Sequence, residues 1–314
     1  MSDIGTMLAD TAERLFAAHA GAFTRDEWPA AAWAAIEESG LPLALVPEEA
    51  GGFGLPVIEA LALIRQTGRH ALPLPLAETI VANAALAAAG LPLANGPAAL
   101  ATNDRVAWGR NATTFVGERD GRLHRITEAA TTPGTNLAGM PRDAVTLGEG
   151  QSAEASGPSL VELGALARAL QMAGALERVL ELSVEHVSTR VQFGRPLAKF
   201  QAIQQELAKL AGEVAAASAA ADQAADVYAE GGYLAFAVAV ARTRIGEAAG
   251  KANAIAHQLH GAIGYTREHA LHRFTTALWA WRDEFGTQRH WTLTIGKRAI
   301  AAGRDGYWPM VVAA

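Results

Sequence analysis

The chain contains no cysteine in its 314 residues. Disulfides, thiolate metal sites and cysteine nucleophiles are therefore excluded. It also lacks a basic patch. Net charge is −6, the pI is near 5.9, and Lys and Arg are scattered, so neither nucleic acid nor an anionic membrane surface is an expected partner. No stretch reaches the ~18 uninterrupted apolar residues of a membrane span. The Ala-rich run around Leu234 to Val240 is broken by Arg242 and Arg244. The opening MSDIGTMLAD has neither the basic start nor the apolar run of a secretory signal, which makes the cytoplasm the expected compartment. Familiar catalytic signatures are missing as well. There is no Gly-x-Ser-x-Gly, no Gly-x-Gly-x-x-Gly after a strand, no Walker loop and no His-Glu-x-x-His. His257 and His260 stand three apart, as do His269 and His272, but no Glu-x-x-His pair accompanies them. They read as surface or capping residues, and no metal is expected.

What is present is globular material, 50% hydrophobic and 18% charged, long enough for two or three structural units. The expected fold is mostly α. Residues 1–96 read as an N-terminal helical domain. Trp28, Trp33, Ile36 and Leu41 recur near helical spacing, Ser39-Gly40 offers a stop, and the glycine-rich loop VPEEAGGFGLP spans Val46 to Pro56. Further helices are expected from Val57 to Thr67 and from Leu76 to Ala89. Residues 97–157 change character to short β-branched segments split by Gly, with a hairpin turn signal at Asp120-Gly121. This is a small, reduced β-rich middle segment. Residues 158–314 read as an antiparallel four-helix bundle. Its first helix carries an apolar face through Leu160, Leu163, Ala167, Leu170, Gly174, Leu180, Val184 and Val187. Helices follow over about Phe200 to Gly231, Tyr233 to His260, Glu268 to Trp281 and Thr287 to Ala302.

Two stretches carry more polar chemistry than a helix turn needs. RVQFGRPLAKFQ, Arg190 to Gln201, places two guanidinium groups, two amides and a Gly-containing break in twelve residues. An Arg there suits either a phosphate or the C-terminal charge of a helix. QLHGAIGYTREHALHRF, Gln258 to Phe274, breaks a helix with Gly261 and Gly264, so backbone can approach a ligand closely. Glu268 follows on that turn. A carboxylate there could abstract a proton beside a carbonyl, or it could serve only as a helix N-terminal charge.

Taken in order and spacing, VPEEAGGFG, RVQFGRPLAKFQ and QLHGAIGYTRE…DEFGT resemble signature stretches of the acyl-CoA dehydrogenase family. The resemblance runs through about 160–302 and is looser in the N-terminal helices. It implies FAD held between subunits. Arg190, Gln192 and Phe193, continued by Phe200 and Gln201, would face the FAD of a neighbouring subunit. Gln258, Gly261 and Ala262 match the family's Gln-x-x-Gly-Gly adenine-side segment, with Ala262 replacing the second glycine. Gly286 and Thr287 match the Gly-Thr that closes over the flavin. Glu268 falls on the position taken for the catalytic base. The alternative base position on the first bundle helix is Gly164, and Glu162 points elsewhere. The implied reaction is α,β-dehydrogenation of an acyl-CoA thioester in fatty-acid or steroid side-chain degradation. Electrons would pass to an electron-transferring flavoprotein, and the assembly would be a homo- or hetero-oligomer. The sequence also departs from the family. The family's Thr-Glu-Pro-x-Ala-Gly-Ser and Trp-Ile-Thr-like segments are missing from the middle of the chain, and RFTTALW stands where Arg-Asp is usual. In this it resembles the shortened chains of heterotetrameric relatives. Two readings follow: a dehydrogenase subunit supplying Glu268, or a non-catalytic structural and interaction subunit. Trp279 and Trp281 are expected in the core.

Overall fold

The computed structural model describes residues 2–20 and 27–312. The chain forms two compact units that divide between Ala167 and Arg168. Among the described residues, no helix is long and apolar enough to cross a membrane.

The first unit opens with α1 (Asp3–His19), α2 (Ala30–Glu38), α3 (Val57–Arg69) and α4 (Leu76–Ala88). The Ser2 hydroxyl caps α1 by accepting from Gly5 N–H at 3.0 Å, and itself donates to Glu59 on α3 at 2.6 Å. Leu8, Ala12 and Phe16 then repeat every four residues and are buried, as one face of a helix requires. The stop expected at Ser39-Gly40 is present, with Gly40 in the left-handed region at φ 74°. In the loop after it, a Cβ on Gly52 would sit 1.9 Å from the Val46 carbonyl oxygen, so only glycine fits. Helix α4 is buried almost all round, polar residues included. Its polar side chains therefore bond to backbone: Asn83 donates to the Pro42 carbonyl at 3.1 Å, and the Thr79 hydroxyl accepts from Ala98 N–H at 3.0 Å.

That last bond ties α4 to β1 (Ala98–Leu100), the first of seven short strands in the β-rich segment. The others are β2 (Arg105–Ala107), β3 (Thr114–Arg119), β4 (Arg122–Ile126), β5 (Ala129–Thr132), β6 (Arg142–Leu147) and β7 (Gly150–Glu154). They make one sheet in the order β1-β3-β4-β7 and a second in the order β2-β6-β5. The hairpin expected at Asp120-Gly121 joins β3 to β4, and both turn residues have positive φ, 51° and 71°, as a two-residue type I′ turn demands.

Helix α5 (Leu160–Thr189) opens on a reciprocal capping box: Ser159 N–H donates to Glu162 Oε2 at 2.9 Å, and Glu162 N–H to Ser159 Oγ at 3.3 Å. Glu162 is thus occupied in holding the helix start. The apolar face read from sequence needs correction in the last turns. Val184 is 44% exposed, while Val179, Leu182 and Val187 are buried. The middle of α5 is buried on all sides, so apolar periodicity there carries no phase with which to place its end.

The second unit continues α5 and adds the hairpin strands β8 (Val191–Gln192) and β9 (Arg195–Pro196), then α6 (Gln201–Ala229), α7 (Leu234–His260), α8 (Leu271–Trp281) and α9 (Gln288–Val312). Helices α6 and α7 pack against each other, and both bury small side chains, among them Ala217, Ala221 and Ala224 on one and Ala241, Ala248 and Ala252 on the other. Two boundaries differ from expectation. Helix α8 begins at Leu271, which leaves Glu268 in the preceding turn. Helix α9 does not end at Ala302. The backbone breaks at Gly303 (φ 66°, ψ −173°) and helical structure resumes as far as Val312. Trp281 is buried in the core, whereas Trp279 is half-buried beneath the Arg282 guanidinium, 4.4 Å from the ring centroid.

Candidate functional site

The segment Arg190–Phe200 folds as a two-residue hairpin at the end of α5. Leu197 N–H donates to the Arg190 carbonyl at 2.9 Å, and Gln192 pairs with Arg195. The turn residues Phe193 and Gly194 both take positive φ, 52° and 79°. Glycine does this freely, whereas a phenylalanine there is strained by about 1–2 kcal/mol. Phe193 is nevertheless 89% exposed, so burial among the described residues does not hold it in place. Its ring meets Phe200 edge-on at 6.2 Å, and the Arg195 guanidinium lies 4.1 Å over Phe200. Arg190, Gln192 and Gln201 are likewise exposed. The hairpin therefore presents two guanidiniums, two amides and an aromatic tip outwards.

The same end of the unit gathers the second stretch. Helix α7 ends at His260, and Gly261 (φ 62°, ψ −144°) turns the chain in a conformation open essentially to glycine alone. Gly264 is there for space: a Cβ on it would stand 2.9 Å from His260 Cβ and 3.3 Å from Leu271 Cδ2. Gln258, Gly261, Ala262 and Glu268 are all exposed, and Glu268 makes no hydrogen bond or ion pair among the described residues. The two stretches meet through histidines. His186, one turn before Arg190, stacks on His260 with ring centroids 4.4 Å apart, and His269 stands edge-on to His260 at 4.7 Å. His260 is buried, which corrects the expectation of surface or capping histidines. Its Nδ1 bonds the Ala256 carbonyl at 2.8 Å. Burial, with the neighbouring histidines adding and the Ala256 bond opposing, pulls His260 down to about 4. Burial also lowers His186, helped by the charges of His269 and Arg190.

Gly286 and Thr287 lie elsewhere. Phe285 and Gly286 make a tight turn with φ 52° and 103°, and a Cβ on Gly286 would meet Trp291 Nε1 at 2.8 Å. Thr287 Oγ1 accepts from His290 N–H at 3.2 Å and so caps α9. A buried polar network that the sequence reading missed fixes this turn. Arg242 on α7 donates to the carbonyls of Trp281, Arg282 and Glu284, each at 2.9 Å. Glu284 pairs with Arg168 on α5 at 2.7 Å, and Arg168 also bonds Gln171. Burial brings the Arg242 guanidinium down to about 10, with Arg168 adding and Glu284 and Asp283 opposing, so it stays charged at neutral pH. The next residue, Gln288, lies against Gly246 of α7, where a Cβ would stand 3.2 Å from Gln288 Cδ. Gly246 and Gln258 are separated by about 18 Å of helix. The structure thus brings Arg190, Gln192, Phe193, Gln258, Gly261, Ala262 and Glu268 to one end of α7, and holds Gly286-Thr287 well along its length. The signals that could have revealed the network were a lone Arg168 in the apolar run GALARALQMAGAL and Arg242 directly after the apolar run LAFAVAVA.

Comparison with known proteins identifies the family and the fold. Residues 2–95 match the family model for the acyl-CoA dehydrogenase N-terminal domain, and residues 159–300 match that for the acyl-CoA dehydrogenase C-terminal domain. Acyl-CoA dehydrogenase IpdE2 of Mycobacterium tuberculosis is 33% identical over 286 residues, covering 85% of this chain and 88% of that protein. Two solved structures share the fold. Butyryl-CoA dehydrogenase from Megasphaera elsdenii has a TM-score of 0.77 at 16% identity, covering 96% of this chain and 99% of that one. The ChsE4–ChsE5 complex from Mycobacterium tuberculosis has a TM-score of 0.77 at 22% identity, covering 96% of this chain and 98% of the matched chain.

Proposed function

Because the chain belongs to the acyl-CoA dehydrogenase family, a family of oxidoreductases, we propose that it is one subunit of an oligomeric, FAD-dependent enzyme that forms a 2,3-double bond in an acyl-CoA thioester. The observation that carries this reading is the outward-facing hairpin. A strained, 89% exposed Phe193 beside exposed Arg190 and Gln192 has no purpose within its own chain and suits a surface completed by another subunit.

The residues present fit a dinucleotide. Arg190 offers a fork for pyrophosphate oxygens, and Gln192, Gln201 and Gln258 offer amide donors and acceptors. Phe193 and Phe200 offer apolar faces, and the backbone at Gly194 and Gly261 is bare enough for close approach. When bound, FAD supplies the acceptor for the substrate's β hydrogen as hydride. Within this chain Glu268 takes the α proton. Glu284, the nearest acidic residue to the Gly286-Thr287 turn, is already committed to Arg168. The Glu268 side chain is open to solvent, so a neighbouring subunit has to cover it before it can work in a dry site. An electron-transferring flavoprotein would then reoxidise the flavin, in keeping with the family and with a cytoplasmic setting.

That same exposure of Glu268 favours a second reading, in which the chain completes a partner's flavin site and the base lies on the partner. Similarity to the ChsE4–ChsE5 complex supports a heteromeric arrangement. One experiment separates the two. The chain is purified alone and with its co-expressed family partner, and flavin absorbance and its bleaching by acyl-CoA are recorded. Under the first reading Glu268→Gln slows bleaching by about 10²-fold or more while flavin is retained. Normal bleaching in that variant removes Glu268 as base and leaves the structural reading.

A further inference from the structure

His186, His260 and His269 come from three different elements: the last turn of α5, the last residue of α7, and the turn before α8. One ring nitrogen from each lies within 4.8 Å of the other two. The arrangement has a feature that packing alone does not explain. His260 is only 5% exposed, and the bond from its Nδ1 to the Ala256 carbonyl at 2.8 Å requires that nitrogen to carry the proton. Its Nε2 is therefore a bare lone pair, buried and without a hydrogen-bond partner among the described residues. Such an acceptor is unfavourable unless something occupies it. An apolar side chain in its place would leave no such orphan.

We propose that His186, His260 and His269 bind one zinc ion, which ties the ends of α5 and α7 to the turn that carries Glu268. Imidazoles without a carboxylate suit zinc and its neighbours in the transition series and not magnesium or calcium. The Nδ1–H bond from His260 to a backbone carbonyl is the outer contact that aims a ligating histidine, leaving Nε2 for the metal. Burial keeps His260 and His186 in the neutral form that a metal requires. Nitrogens on a tetrahedral zinc stand about 3.4 Å apart, given Zn–N distances of about 2.0–2.1 Å. The rings therefore close by roughly 1.4 Å, and the His186–His260 stack opens so that in-plane lone pairs converge. His186 can do this, being half-buried at a helix end with no side-chain hydrogen bond among the described residues. His269 gives up the 3.2 Å bond that its Nδ1 accepts from Leu271 N–H. Three protein ligands leave the fourth position to water. The assignment does not depend on the flavin reading, since it needs neither FAD nor substrate.

The full chain is stripped with a chelator, titrated with zinc by calorimetry, and separately loaded with cobalt(II) for its visible spectrum. The expected result is about one ion per chain, the intense visible bands of tetrahedral cobalt, and a rise in thermal midpoint with zinc. His269→Ala and His186→Ala, both at half-buried positions that tolerate truncation, lose stoichiometric binding, the cobalt bands and the thermal shift. His19→Ala, remote in sequence on α1, keeps all three. Absence of stoichiometric binding in the wild-type chain overturns the site. So does equal affinity in the wild-type, His269→Ala and His186→Ala proteins, which would place the ion elsewhere.

Discussion

At the scale of single residues, the buried ion pair decides more than its count of charges suggests. Arg168 and Glu284 are 2% and 3% exposed in their side chains, and removing either partner strands the other charge away from water. Glu284→Ala is therefore expected to destabilise the chain by about 3–5 kcal/mol, read as a fall in the denaturation midpoint. Lys209→Ala, which breaks an exposed pair with Glu206, is expected to move it by no more than about 0.5 kcal/mol. Equal effects from the two variants would show that burial at Glu284 carries no such weight. Little of this was legible beforehand. A lone Arg in an apolar helix is visible in the sequence, but its partner lies 116 residues away and no spacing rule links them. The histidines show the same gap. His257 and His260 read as a pair along one helix, yet His260 meets His186 and His269, which come from other elements.

At the scale of elements, the sequence was most informative where backbone chemistry is local. Asp120-Gly121 became a two-residue turn with positive φ, because that geometry is fixed by the turn residues themselves; at Phe193-Gly194 only the glycine signals it, and the positive φ of Phe193 does not follow from its residue type. Helix ends marked by glycine were legible for the same reason. The apolar phase at the end of α5 was not, because it depends on what packs against it, nor was the stretch of α9 beyond Gly303, where a glycine reads as a stop. The gathering of Arg190 with Gln258 and Gly261 at one end of α7 was implied only by resemblance, as their separation in sequence carries no distance. The Phe193 turn yields a sharp expectation. Asparagine tolerates left-handed backbone better than phenylalanine, and this side chain contributes almost no burial. Phe193→Asn should raise the stability of the chain by up to about 1 kcal/mol. The same variant should lower flavin retention in the assembled protein. A residue kept for its own chain's stability would not move the two readings in opposite directions, so a matched loss of both would overturn a flavin-facing role for the tip.

At the scale of the whole molecule, the shifted groups set how the chain responds to acid. Burial holds His260 at about 4, and His186 and His257 below their usual value, so the unfolded chain takes up these protons first as pH falls. Folded pKa values below the unfolded ones mean that this stability is complete above about pH 6.5 and is lost on the way down to about pH 4. The groups around His260 reinforce the direction. His186, His269 and His257 all disfavour charge on it, and Arg190 does the same to His186. A second loss follows in stronger acid. Asp143 is pushed up by burial, but its bonds from Arg110 and Gly134 outweigh that and hold it below the usual carboxylate range. Glu213 is likewise pushed up by burial, but its bonds from Lys251 and Arg244 together outweigh that and lower it. Carboxylates lowered in this way contribute above about pH 4, and their contribution disappears as pH falls through their folded values. Both windows have the same sign, so in metal-free buffer the denaturation midpoint should fall continuously from about pH 6.5 downward with no intermediate rise. His260→Gln should flatten the upper window and leave the lower one in place. A wild-type midpoint that stays level between about pH 6.5 and 5 would mean that these imidazoles are not held neutral by the fold.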